Sequence, residues 1–148
     1  MYGDSDVMHR RADQLREQAV DLRGLADQLV AQTEGIGWTG RAADSMRERV
    51  RERATHLRTA AAEHDTAADS LDRHVQEVVT LKDSIADTER KAATLLADAR
   101  TRVARIEAAN EAEPDVRRTP DADDQTLSGF SPPPSGHKDW LAVSLPGL

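Results

Sequence analysis

Three histidines in the middle of the chain are the side chains best suited to metal chemistry. They are His56, His64 and His74, separated by 8 and 10 residues. Two histidines that bind one metal from a helix normally lie four residues apart, on one face. Glu63 and Asp65 flank His64, but nothing in the pattern encloses a carboxylate in a pocket that would shift its pKa towards catalysis. The sequence predicts no metal site and no cofactor, and it favours His64 and His74 as polar residues that fix the register of helix pairing.

The glycine-rich run at residues 35–40, GIGWTG, is the one segment that invites comparison with a phosphate-binding loop. It lacks the lysine of a P-loop, and no strand precedes it. The chain also has no cysteine, which excludes thiolate nucleophiles, disulfides and cysteine-based zinc sites. We therefore predict that the protein is not an enzyme.

The composition of the chain predicts the type of secondary structure that carries these residues. Of 148 residues, 38% are hydrophobic, 3% are aromatic and 32% are charged. Burial must rely on small aliphatic side chains, which pack well between helices, so the chain is expected to be all-α. The net charge of -7 argues against nucleic-acid binding. No apolar run is long enough for a transmembrane segment, and polar faces that mix arginine with acids are not typical of membrane-surface helices.

Glycine and proline divide the chain into two helices, a turn and a tail. Apolar residues recur every three or four positions over residues 4–34, and a second register of sevens runs over residues 41–112. These patterns predict an antiparallel helical hairpin with a long second helix. Because the first helix covers the second only to about residue 72, the stripe from Val75 to Ile106 needs another cover. Folding back near residue 82 into a third helix, a second copy and a different partner all remain open.

The last part of the chain, residues 113–148, has the composition of a disordered tail. It contains all six prolines and a cluster of three acids, and it lacks periodicity. We therefore place the helical domain at residues 1–112 and a disordered tail at 113–148. Trp140 and Leu141 lie in its one apolar cluster. Docking on a partner, a strand or turn on the protein's own helices, and simple disorder are the alternatives for this cluster.

The turn is the most specific local feature. Its glycines allow a positive φ, Thr39 is expected to cap the second helix, and turn chemistry alone favours Trp38 as a plug buried against the end of the hairpin.

The motif Trp38-Thr39-Gly40, placed between two heptad helices, resembles the Trp-x-Gly turn of the WXG-100 superfamily. This resemblance covers about residues 5–82. Members of that superfamily are small helical hairpins of type VII (ESX) secretion systems that pair as four-helix dimers and are exported without a cleaved signal. The continuation of the second helix is also similar to the WXG-like domains that precede secreted toxins. The Tyr-x-x-x-Asp/Glu export motif of the family is absent near Val78, and the only tyrosine is Tyr2.

The resemblance implies a secretion substrate, or a chaperone-like partner of a larger co-secreted protein such as a toxin. It implies residence in the bacterial cytoplasm before export, a recognition tip at Trp38, Thr39 and Gly40, and pairing with a WXG-like protein, with a toxin or with itself. The heptad positions expected to bind the partner are Leu15, Leu22, Leu29, Val50, Leu57, Leu71, Val78 and Ile85. The alternative is a structural coiled-coil protein, unrelated to secretion, that self-associates through residues 75–106.

Overall fold

The computed structural model describes residues 2–148, with side chains from Asp4 onward. Three α-helices and one short 3-10 helix follow one another along the chain, and the described residues form no strand. They are α1 (Tyr2–Glu34), α2 (Arg41–Ala112), α3 (Ala122–Ser128) and η1 (Lys138–Ala142). The predicted all-α hairpin is confirmed. Helix α1 begins two residues before the predicted start, and the side chain of Tyr2 lies outside the described part.

Helix α2 is continuous through its 72 residues. Residues 80–84 are helical, so the chain does not fold back near residue 82 into a third helix. The chain divides into two compact units within α2, Met1–Glu77 and Val78–Leu148.

Alanines form the contact between α1 and α2 in the first unit. Ala12, Ala19 and Ala26 recur every seven residues on α1 and are at most 1% exposed. The matching row on α2 consists of equally buried residues, namely Ala54, Ala61, Ala68 and Val75. Small side chains in both rows allow the two backbones to approach closely, and alanine has the highest helix propensity. We call these two rows the alanine seam.

The second unit has a core of larger side chains. Trp140 of η1 and Leu127 of α3 are buried at 3% exposure each, against a row of residues on α2 that comprises Ile85, Ala92, Leu96 and Ala99. The chain after α2 therefore supplies the cover that the apolar stripe of α2 requires.

The segment 113–148 is folded, so the prediction of a disordered tail is wrong. It runs back along α2, because Asn110 exchanges two hydrogen bonds of 2.8 Å with the backbone of Arg118 and Glu89 accepts one of 3.1 Å from the N-H of Gly136. Burial of Trp140 and Leu127 offsets the conformational entropy that the acidic, proline-rich composition otherwise favours. Of the alternatives left open for the apolar cluster, lying on the protein's own helix is the one observed.

Candidate partner-binding surfaces

The seam divides the surface of the hairpin into two edges. On a helix, the residue three positions after a seam residue lies roughly 60° to one side of it, and the residue four positions after lies roughly 40° to the other. The two helices are antiparallel and their seams face each other, so the corresponding rows of α1 and α2 mirror one another. On both helices, the residues three positions after the seam residues therefore lie along one edge of the hairpin. The residues four positions after the seam residues lie along the opposite edge.

Ion pairs join the helices along the second of these edges. Arg16, four residues after Ala12, donates to Asp72, four residues after Ala68, at 2.6 Å. Equivalent contacts along the same edge join Arg23 to Asp65 at 2.6 Å, Arg58 to Asp27 at 2.6 Å and Arg51 to Glu34 at 3.4 Å. We call this the ion-paired edge.

The order of charges along the ion-paired edge specifies the antiparallel register. Among the residues paired across the two helices, the arginines precede the acids on α1 and also on α2, so the antiparallel alignment places each arginine opposite an acid. The hydrogen bond from Arg16, together with that from His9, holds the pKa of Asp72 below its ordinary value, although burial opposes the shift. The carboxylate thus stays charged in the folded hairpin.

The opposite edge is apolar, and in the described part of the first unit no third element lies over it. It consists of Met8, Leu15, Leu22 and Leu29 on α1, Ile36 in the connector, and Val50, Leu57, His64 and Leu71 on α2, all of them half-buried. We call this surface the apolar edge. Six of the eight predicted partner-binding residues lie on it: Leu15, Leu22, Leu29, Val50, Leu57 and Leu71.

The other two predicted binding residues lie in the second unit. Val78 is half-buried at the start of that unit. Ile85 is buried in the core formed with Leu127 and Trp140, so it is not an open contact position while the tail is in place. The same cover reaches Ala92 and Ala99, which the alternative prediction of self-association through residues 75–106 would require to be free.

The tip of the hairpin presents the indole of Trp38 to solvent. The residue is 64% exposed, so the prediction of a plug buried against the hairpin is wrong. Arg47 holds the connector, because its guanidinium donates to the carbonyls of Ile36 at 3.2 Å and Trp38 at 2.5 Å. Gly40, rather than Thr39, occupies the cap position, since it has a φ of +103° and its carbonyl accepts the first hydrogen bond of α2 at 3.0 Å. The three residues of the motif thus lie at an exposed tip.

A polar contact fixes the tail on the second unit. Arg102 binds the buried carboxylate of Asp124 through three hydrogen bonds of 2.6 to 3.0 Å. This contact holds the pKa of Asp124 below its ordinary value, against the opposing effect of burial. Trp140 adds a hydrogen bond of 3.0 Å from its indole N-H to the carbonyl of Pro134, whereas the neighbouring Leu141 is 49% exposed. Trp140 therefore docks within its own chain.

The histidines are not arranged as metal ligands. His64 uses its Nδ1 to donate to the carbonyl of Ala60 at 2.8 Å, and His56 and His74 are exposed. His74 is thus outside the seam, contrary to the prediction. Across the described residues, no group of three acidic or histidine side chains converges on a metal-sized site.

Sequence reasoning missed Arg47 and the pair of Arg102 with Asp124. Arg47 could have been noticed from the sequence, because the row of seven-residue spacing that contains it continues with Ala54, Ala61 and Ala68. An arginine in a row of alanines is unexpected. No local pattern marks Asp124, since its partner lies 22 residues earlier in the chain.

No helix in the described part of the chain is long and apolar enough to cross a membrane. Comparison with protein-family models, with curated proteins and with solved structures gives no match to this chain.

Proposed function

We propose that this protein is a hairpin component of a type VII (ESX) secretion system, either an exported substrate or the chaperone-like partner of a larger co-secreted protein. In this role it pairs with another helical protein through the apolar edge. It resides in the bacterial cytoplasm before export and leaves without a cleavable signal peptide. The role is one of binding and not of catalysis.

The exposure of Trp38 is the observation that carries the proposal. A tryptophan buries a large apolar area when it finds a partner, and aromatic anchors of this kind dominate binding at protein interfaces. Here Trp38 is 64% exposed on a connector that Arg47 holds in place. A side chain presented in this way is suited to recognition by another molecule, which is the role that the resemblance assigns to the Trp-x-Gly tip.

The apolar edge supports the pairing part of the proposal. It repeats leucine or another apolar residue every seven positions along α1, which is the spacing that a partner helix with the same repeat can match. An apolar stripe of this length that stays partly exposed is a frequent sign of a protein-protein interface. The ion-paired edge has no such stripe.

Export of the tagged chain from its own bacterium tests the proposal. We expect the chain in the culture medium when the secretion ATPase is present and in the cytoplasm when the ATPase gene is deleted. We also expect a co-encoded helical protein to co-purify with it. Retention in the cytoplasm of both strains, with no co-encoded helical protein bound, would contradict the proposed function.

A further inference from the structure

The residues that border the apolar edge carry almost no negative charge. On α1 the border is the row Asp4, Arg11, Gln18, Leu25 and Gln32, and on α2 it is the row Met46, Arg53, Ala60, Ala67 and His74. Asp4, at the start of α1, is the single acid in these rows. The chain as a whole has 27 acidic residues against 20 basic ones, whereas these ten positions hold two arginines and one acid.

The ion-paired edge shows the opposite distribution. Asp65, Asp69 and Asp72 of α2 lie along it, and each binds Arg16 or Arg23 of α1. The acids of this edge therefore already have counter-charges within the hairpin. By contrast, Arg11 donates to the neutral side chain of Gln14 at 3.2 Å, and Arg53 is exposed. The basic groups on the border of the apolar edge lack acidic partners among the described residues.

We propose that the apolar edge receives a helix of a different protein, whose apolar stripe is bordered by Asp or Glu. This inference rests on the proposed function in that both assign partner binding to this edge. The occupant it names is defined by chemistry: an amphipathic helix with a seven-residue apolar repeat and acidic flanks that face Arg11 and Arg53.

A second copy of this chain fits the same surface poorly. A two-fold dimer places the same patch on both sides of the interface, so each border would face another that has arginine and histidine and almost no acid. Like charges that face each other across an interface oppose association, and charge complementarity selects the correct partner. A helix with acidic flanks supplies the missing counter-charges.

The shape of the border favours a helix as the occupant. Ala60 and Ala67 lie seven residues apart beside the leucines of the edge, and their small side chains leave room for another backbone to come close. On the α1 side, Leu15, Leu22 and Leu29 stand as larger side chains at the same repeat. Together they provide the alternation of large and small residues into which the side chains of a helix interdigitate.

Two designed peptides test this inference. Each is a 28-residue helix with leucine and alanine at the two apolar heptad positions. One has glutamate at the flanking positions, and its twin has lysine there. Binding of each labelled peptide to the full chain is measured by fluorescence anisotropy at low and at high salt. We expect the glutamate peptide to bind roughly ten-fold more tightly at low salt, and the difference to shrink at high salt, because border charges are screened.

Two matched charge-reversal variants identify the residues responsible for the preference for the glutamate peptide. The double variant Arg11→Glu with Arg53→Glu is expected to reverse the preference between the peptides. The control, Arg10→Glu with Arg49→Glu, changes the net charge equally at exposed positions off the edge and is expected to keep it. Circular dichroism establishes that all variants fold.

Three results would overturn the inference. The first is equal binding of the two peptides, the second is tighter binding of the lysine peptide, and the third is a homodimer of the full chain by sedimentation that Leu22→Glu dissociates. These outcomes are independent of export. Failure of secretion with a retained preference for the glutamate peptide would refute the proposed function alone, whereas secretion without that preference would refute this inference alone.

Discussion

The two halves of α2 use the same seven-residue row in different ways. In the first unit, the row holds Val50, Leu57 and Leu71, which remain half-buried on the apolar edge. In the second unit, it holds Ile85, Ala92 and Ala99, which are buried beneath the tail. The sequence pattern of the row is continuous, so the difference depends on what the rest of the chain places against it.

The difference follows from the size of the covering side chains. Helix α1 meets α2 through Ala12, Ala19 and Ala26, which seal the seam but do not extend over the rows beside it. The tail instead brings Trp140 and Leu127, whose larger surfaces cover the row. In the second unit, the tail thus covers the apolar stripe of α2. In the first unit, the apolar edge stays partly exposed.

Loss of the tail's main apolar contact should have the largest effect on this comparison. Trp140→Ala is expected to destabilise the second unit by about 3 to 5 kcal/mol, because it removes a buried ring and leaves a cavity. Hydrogen exchange should show faster amide exchange around residues 85–106 and little change in the first unit. Leu141→Ala, at the exposed neighbouring position, should change little. An equal loss of protection from exchange in both units would show that they do not unfold independently.

Enlarging a seam residue should disrupt the first unit. Ala61→Leu inserts a side chain where the helices are in close contact, and we expect a loss of about 1 to 3 kcal/mol in urea denaturation. The control Ala62→Leu changes an adjacent, exposed position, and its free energy of unfolding should lie within about 0.5 kcal/mol of that of the parent chain. If the two variants are equally stable, the seam is not the close contact described.

Acid should weaken both units. The folded pKa values of Asp72 and Asp124 lie below the unfolded value near 3.9, so each carboxylate stabilises the fold above that pH, and its contribution is lost as the pH falls through the lower folded value. Asp124→Asn should reduce the acid dependence of the second unit, as read from its unfolding at pH 2 to 6. The neighbouring Asp123→Asn is the control. An unchanged acid profile in Asp124→Asn would show that the pair with Arg102 does not contribute.

The smallest effect on stability is expected at the tip. Trp38→Ala removes a side chain that is mostly exposed, so the free energy of unfolding should change by no more than about 0.5 kcal/mol. Export or partner binding should fall much more. The exposed Val116 of the second unit offers a control in Val116→Ala. Matching losses of stability and of binding in Trp38→Ala would support a structural role for the ring.

Sequence alone was sufficient for the hairpin because its signals are local and repeated. The glycines at 35–40 and the absence of proline before residue 114 place the ends of α1 and α2, and the heptads identify the apolar edge. The tail was missed because its composition resembles disorder. The contacts that fold it, such as Arg102 with Asp124, join positions far apart in the chain.

The exposure of Trp38 was equally inaccessible to sequence reasoning. A tryptophan beside glycines is compatible with burial against the hairpin or with presentation to solvent. The choice depends on the path of the connector, which Arg47 fixes from within α2.

Thiol labelling tests the central contrast most directly, because the chain has no cysteine of its own. Leu57→Cys and Ala99→Cys place single thiols on the same row of α2, one on the apolar edge and one beneath the tail. We expect fast labelling at position 57, slow labelling at position 99, and fast labelling at both when the chain is truncated after residue 112. Equal rates at the two positions in the full chain would contradict it.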